Sequence, residues 1–214
     1  MNYRHLFLFG GGPPFTDTLG KMFARFSLND NAKIGILFLE IDGWEKYIKE
    51  YTKVLENNNI KKYVYLPLNT MTPSKICHEL ISCTGIIIGG GETEVYRDYM
   101  VDTSIGNCIR ELYDIGVPIA GFSAGSLICP SNCVISPNDN SQNKLLFLGG
   151  LGLLKDCVIS VHFSQWDETK NLKTAMKKVN ALIGYGIDDN AGLYFKNEKL
   201  SEKEGKTYIL TREK

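Results

Sequence analysis

Apolar runs of strand length recur through the first part of the chain, at Leu6 to Phe9, Ile34 to Leu39, Tyr63 to Leu66, Gly85 to Ile88 and Val117 to Gly121. They are short, rich in branched residues and free of charge, the pattern of strands covered on both faces. Between several of them the period becomes helical. Trp44, Tyr47, Ile48, Tyr51, Val54 and Leu55 fall on one helix face at i, i+3, i+4, i+7 spacing. Thr72 followed by Pro73 reads as an N-cap and first helical position, with Ile76, Cys77, Leu80 and Ile81 continuing one stripe. Ile105, Cys108, Ile109 and Leu112 form a third stripe, stopped at Gly116. Strand, helix, strand alternation requires right-handed crossovers and predicts an α/β fold with a mostly parallel sheet flanked by helices.

Beyond Ser123 the pattern is less regular, with strands expected at Val158 to Val161 and Ile183 to Asp188, then a terminal pair near Gly192 to Phe195 and Lys206 to Leu210. The charged segment Lys196 to Gly205 reads as a hairpin loop. No repeat or linker divides the chain, so residues 1–214 are read as a single domain. Lys plus Arg and Asp plus Glu both number 24, which removes any net field for nucleic acid or an anionic membrane. The opening MNYRHLFLFGGG is too short in apolar residues for a secretory or spanning segment. Six cysteines without a CxxC pair, and with few histidines near them, predict no zinc framework and suit a reduced cytoplasmic interior.

The chemistry is expected at Gly121-Phe-Ser-Ala-Gly125, a G-x-S-x-G pattern entered from an apolar strand. Small residues flank the serine because so sharp a strand-to-helix reversal presses backbone against backbone. Ser123 is the candidate nucleophile, and the following Ala124 N–H is placed to meet an oxyanion. A second cluster, Gly89-Gly-Gly-Glu-Thr93, also ends a strand and opens a helix. In a parallel sheet the carboxyl ends of neighbouring strands share one crevice, so the N–H of Gly90 or Gly91 is a second oxyanion donor candidate. The cluster Gly10-Gly-Gly-Pro-Pro14 lies at the same edge and is read as a structural turn.

A serine nucleophile needs a base, and the chain offers His5, His78 and His162. His5 begins the first strand, at the edge away from the crevice. His78 lies roughly 200° around its helix from the apolar stripe at the ~3.6-residue period, and so faces solvent. His162 ends a strand and is left as the base. The acid that orients it is Asp139 or Asp189, with Asp188 a weaker version of the second, and periodicity does not choose. An esterase or amidase of another serine-hydrolase type, or a degenerate domain that keeps the pocket alone, uses the same pattern. The nearest match to an HGGG donor loop, Phe9-Gly-Gly-Gly12, lacks the histidine.

In order along the chain, the early glycine turn, Gly89-Gly-Gly-Glu-Thr93, Gly121-Phe-Ser-Ala-Gly125, Asn138-Asp139, Val161-His-Phe163 and Gly186-Ile-Asp-Asp189 resemble the peptidase E and cyanophycinase family of serine peptidases. That resemblance implies a class I glutamine amidotransferase-like, flavodoxin-like three-layer sandwich in which serine replaces cysteine, with no metal or organic cofactor. It implies Ser123 as nucleophile, His162 as base and Asp139 as the acid. Asp189 stands in reserve, where many members carry Glu. Glu92 replaces the family's usual Asn and, with Thr93, is placed at the substrate, where an added carboxylate disfavours an acidic side chain. The arginine-rich segment of cyanophycinases is here Phe163-Ser-Gln-Trp-Asp-Glu168, without arginine. The implied partner is a short peptide substrate, with no nucleic acid or membrane, and a homodimer is compatible with the reading.

Overall fold

A computed structural model of the chain describes residues 3–212. Its main sheet has seven strands in the order β11-β10-β1-β5-β4-β2-β3, where β1 is His5–Phe9, β2 Ile34–Phe38, β3 Tyr63–Pro67, β4 Gly85–Ile88, β5 Ile119–Phe122, β10 Gly192–Lys196 and β11 Lys199–Glu204. β1 to β5 run parallel, and β10 and β11 extend the sheet antiparallel beyond β1. Two faces follow from the two-residue period of a strand. Leu6, Leu8, Ile86, Ile88 and Ile119 face one layer, containing α3 (Pro73–Leu80), α5 (Ser104–Asp114) and α6 (Ala124–Ile128). Phe7, Phe9, Ile87, Ala120 and Phe122 face the other, packing on α1 (Asp17–Ser27) and α2 (Trp44–Glu56). The second layer is aromatic: the Phe9 and Phe122 rings stack at 4.5 Å, and Phe15 meets Phe122 edge-on at 4.8 Å. This is the expected mostly parallel sheet between helices.

Two smaller sheets complete the chain. β6 (Asn132–Ile135) and β7 (Leu146–Gly149) pair antiparallel, and β8 (Cys157–Ser160), β9 (Ile183–Ile187) and β12 (Thr207–Thr211) form a three-stranded sheet with β9 central. β8 and β9 are parallel, in the register Ser160 opposite Gly186, so their carboxyl ends lie side by side. α7 (Thr169–Lys178) covers this sheet with Leu172, Ala175 and Met176. The remaining helix, α4 (Thr93–Met100), follows the second glycine cluster.

The terminal strands depart from expectation. β10 and β12 do not pair with each other: β10 lies between β1 and β11, and β12 pairs with β9. The segment expected as a loop holds β11. Asn197 and Glu198 both take positive φ, 48° and 61°, and close a two-residue hairpin between β10 and β11. The charges of β11 suit an edge strand, where they face water and discourage further pairing. Gly205, at φ 73°, then turns the chain away to the small sheet.

What joins the two sheets is the turn after β1. A β-carbon on Gly10 would lie 2.3 Å from the Ile187 carbonyl oxygen and 2.4 Å from that of Asp188, and one on Gly11 would lie 2.6 Å from the Asp189 carbonyl oxygen. Glycine is required there because backbone packs on backbone. The Gly10 N–H donates to Ala191 O at 3.2 Å, and Gly10 O accepts the His162 N–H at 3.2 Å. Among the described residues no helix is long and apolar enough to cross a membrane.

Gly10→Ala is therefore expected to force the sheets apart, at a cost of about 1–3 kcal/mol for overpacking. A thermal melt should show a midpoint lower by ~2–4 °C for each kcal/mol in a chain of this size. An unchanged midpoint would show that the contact is slack.

Candidate active site

Ser123 follows β5 directly, at φ 47° and ψ −107°. A non-glycine residue in that region costs about 1–3 kcal/mol and persists only where its surroundings fix it. Here they do. The Ser123 N–H donates to Phe9 O at 3.0 Å, and the Gly125 N–H donates to Gly89 O at 3.2 Å. The fully buried Ser126 hydroxyl lies 2.7 Å from both Phe9 O and Gly121 O and accepts the Phe9 N–H at 2.9 Å. Side chains on either flanking glycine would collide: a β-carbon on Gly125 would lie 2.3 Å from Ile88 O, and one on Gly121 2.6 Å from the Gly125 carbonyl group. These contacts are the physical content of the G-x-S-x-G spacing.

His162 lies just beyond the carboxyl end of β8, also at positive φ, 48°. Its Nε2 is 2.9 Å from Ser123 Oγ. Its Nδ1 bonds to the Asp189 carboxylate. An ionised carboxylate only accepts, so Nδ1 carries the proton and Nε2 presents its lone pair to the serine hydroxyl. The Trp166 ring covers the imidazole at 4.3 Å, and the Trp166 N–H donates to His162 O at 2.9 Å. Asp188 points the other way: it accepts from Ser164 N at 2.8 Å and Ser164 Oγ at 2.6 Å, which ties down the loop after His162.

The expected place of Asp139 is thus corrected. It sits in a 3₁₀ turn, Pro137–Asp139, and accepts the Thr93 hydroxyl at 2.6 Å, while Asp189 occupies the position beside the imidazole. The reason is the parallel pairing of β8 and β9, which delivers the residues after both strands to one place. Burial is the main cause that raises the Asp139 pKa; the Thr93 hydroxyl and His162 act against it, and the charges of Glu92 and Glu168 add to it. Glu92 itself is exposed and Thr93 buried, at the N-terminal end of α4.

A second correction concerns the oxyanion side. The Gly90 N–H is already engaged, donating to Tyr51 Oη at 3.0 Å. Its carbonyl is held too, accepting from Tyr96 Oη at 3.0 Å. Gly91, exposed and at φ 155°, and Ala124, next to Ser123, are the amides that remain of those expected. Tyr51 carried a sequence signal only as part of a core stripe, and Ser126, Trp166 and Glu168 carried none. Cys83 and Cys108 are pushed up to about 11 by burial, and Cys133 and Cys157 to about 12, so these thiols are not competing nucleophiles.

Residues 16–203 match the model of peptidase family S51. The chain belongs to that family. Among its relatives are a cyanophycinase of Geminocystis herdmanii, 26% identical over 128 residues that make up 58% of this chain and 47% of the relative. An uncharacterized peptidase of Bacillus subtilis is 27% identical over 115 residues, 54% of this chain and 48% of its own. The chain spans about half the length of the curated relatives it matches. In fold it is similar to a peptidase from an acI-B1 Actinobacterium, with a TM-score of 0.76, 16% identity and coverage of 97% of this chain and 91% of the other. It is likewise similar to a putative peptidase E protein from Listeria monocytogenes, with a TM-score of 0.71, 19% identity and coverage of 98% and 100%.

The two aspartates predict different losses in this S51 chain. Asp189→Asn should present the wrong imidazole tautomer and lower turnover by about 10⁴, the scale of that change in a Ser-His-Asp triad. Asp139→Asn should lower it far less, and kinetics on both variants decide the matter; a collapse confined to Asp139→Asn would reverse the assignment. Stability gives a second reading. A carboxyl whose folded pKa is raised binds its proton more tightly in the folded state, so stability falls as pH rises from the unfolded value through the folded one. Asp139→Asn should therefore melt higher than the parent at neutral pH, and the difference should close in acid.

Proposed function

We propose that this chain is a serine-type peptidase that hydrolyses short peptides, with the activity of a dipeptidase of the peptidase E type. The observation that carries the reading is the hydrogen-bonded series from Asp189 through His162 to Ser123 Oγ. Ser123 attacks the peptide carbonyl carbon and gives its proton to His162 Nε2. Asp189 stabilises the imidazolium so formed, and the Ala124 and Gly91 amides receive the oxyanion. His162 then protonates the leaving amine as the C–N bond breaks, which leaves an acyl-enzyme on Ser123. Water enters, loses a proton to His162 and attacks the ester; the acid departs as the proton returns to Ser123. None of these steps draws on a cofactor.

The layered arrangement supports a class I glutamine amidotransferase-like description, with serine in the nucleophile's place. The carboxylates around the site argue about substrate. Glu92 and Glu168 act on Asp139 as like charges, so a further anionic group in that region is opposed. We accordingly assign a neutral or basic residue, rather than an acidic one, to the amino side of the scissile bond. Six free thiols fit a reducing compartment, and the cytoplasm is the place we assign.

A fluorophosphonate probe should label Ser123 in the parent and nothing in Ser123→Ala, and that variant should lose turnover by a factor of about 10⁵ to 10⁶. Against a dipeptide set, Ala-Leu and Lys-Leu should be cleaved in preference to Asp-Leu. An unlabelled serine would support a binding domain instead, and a preference for Asp-Leu would sink the substrate assignment alone.

A further inference from the structure

Gly90, the residue expected to offer an amide to the oxyanion, is held at both polar ends by tyrosines of the packed interior. Its N–H is taken by Tyr51 and its carbonyl by Tyr96. Tyr51 is fully buried on α2, its ring edge-on to Phe122 at 4.9 Å, one residue before the nucleophile. Its hydroxyl oxygen lies 3.0 Å from that of Tyr47, one helical turn earlier. Tyr47 is different in kind, with 42% of its surface exposed.

The two protons can be assigned by accounting. Tyr51 Oη already accepts the Gly90 N–H, and its own proton needs an acceptor, because a buried donor left without one costs about 1–3 kcal/mol. Among the described residues Tyr47 Oη is the acceptor within reach, so Tyr51 donates to Tyr47. The Tyr47 proton is then directed outward. What it faces is set by two glycines. A β-carbon on Gly90 would lie 3.4 Å from Ser123 Cβ and 3.5 Å from Tyr47 Oη, and one on Gly12 would lie 3.3 Å from the same hydroxyl. A side chain on Gly90 would therefore fall between the Tyr47 hydroxyl and Ser123, and one on Gly12 would crowd the same hydroxyl.

We infer that Tyr47 contacts substrate in this site, its hydroxyl donating to the carbonyl oxygen that Ser123 attacks, in the place the Gly90 amide has given up. Tyr51 is a positioning residue: it fixes the Gly90 turn through the N–H and aims Tyr47 through its own proton. The inference rests on the serine-peptidase reading. A donor that strengthens as the carbonyl oxygen gains charge acts on the transition state more than on the bound peptide.

Tyr47→Phe removes the hydroxyl alone from a half-exposed side chain; because the buried Tyr51 proton then loses its acceptor, the variant should melt modestly lower while staying folded at the assay temperature. Turnover of a cleaved dipeptide should fall by about 10²-fold, the lower end for loss of one oxyanion donor, with KM little altered. The rate of Ser123 labelling by a fluorophosphonate, whose phosphoryl oxygen takes the same position, should fall in parallel. Tyr51→Phe should reproduce the slower labelling and also melt lower, since the Gly90 N–H then loses its acceptor. Parent-like turnover and labelling in Tyr47→Phe would overturn the assignment, and a loss confined to KM would do so by placing the hydroxyl on another part of the peptide. If the parent itself is neither labelled nor active on any dipeptide, the serine-peptidase reading has failed and this inference falls with it.

Discussion

The three residues joined by hydrogen bonds at the site come from two different sheets, and a patch of backbone packed on backbone holds those sheets together. Ser123 rides on β5 of the main sheet, whereas His162 and Asp189 follow β8 and β9 of the small one. Gly10 and Gly11 bridge them, through contacts that no side chain could share. The same few residues serve both partners: Phe9 O fixes the serine amide, and Gly10 O fixes the histidine amide one peptide later. The end of β1 is thus the common reference for Ser123 and His162. Their 2.9 Å separation follows from that shared anchor rather than from any contact between the two strands that carry them.

Both Ser123 and His162 adopt backbone conformations that L residues avoid, and each lies at the point where a strand gives way to another conformation. Strain of this kind is tolerated because the surrounding peptides are saturated with partners. Ser126, beneath the serine turn, is bonded to both strands that flank it, and Asp188 closes the loop after the histidine. The aromatic layer of Phe9, Phe15, Phe122 and Tyr51 supplies the stiffness behind β5. Burial of each such ring contributes on the order of 1.5–3 kcal/mol, enough to offset local strain.

Strands and motifs that announce themselves locally were legible in the sequence: the apolar runs, the helix stripes of α2, α3 and α5, and the glycine-flanked serine. His162 could be reached by eliminating two other histidines. Which aspartate meets the imidazole could not, because placing Asp189 there rather than Asp139 requires knowing that β8 and β9 are parallel neighbours, a long-range fact that no local period encodes. Tyr51 was visible only as an apolar member of a stripe, since periodicity reports which way a ring faces and is blind to what its hydroxyl meets. β11 reads as a loop from its charges until an edge position explains them.

The two margins of the main sheet are blunted in different ways. At one, β11 presents Lys199, Glu202, Lys203 and Glu204 in close succession; at the other, β3 ends in Pro67, whose nitrogen has no hydrogen to offer. A strand from another molecule would have to strip water from charges on one side and forgo a ladder bond on the other. The sheet is therefore self-terminating. An apolar sheet that ends in this way does not offer its margins as templates for a growing β-structure.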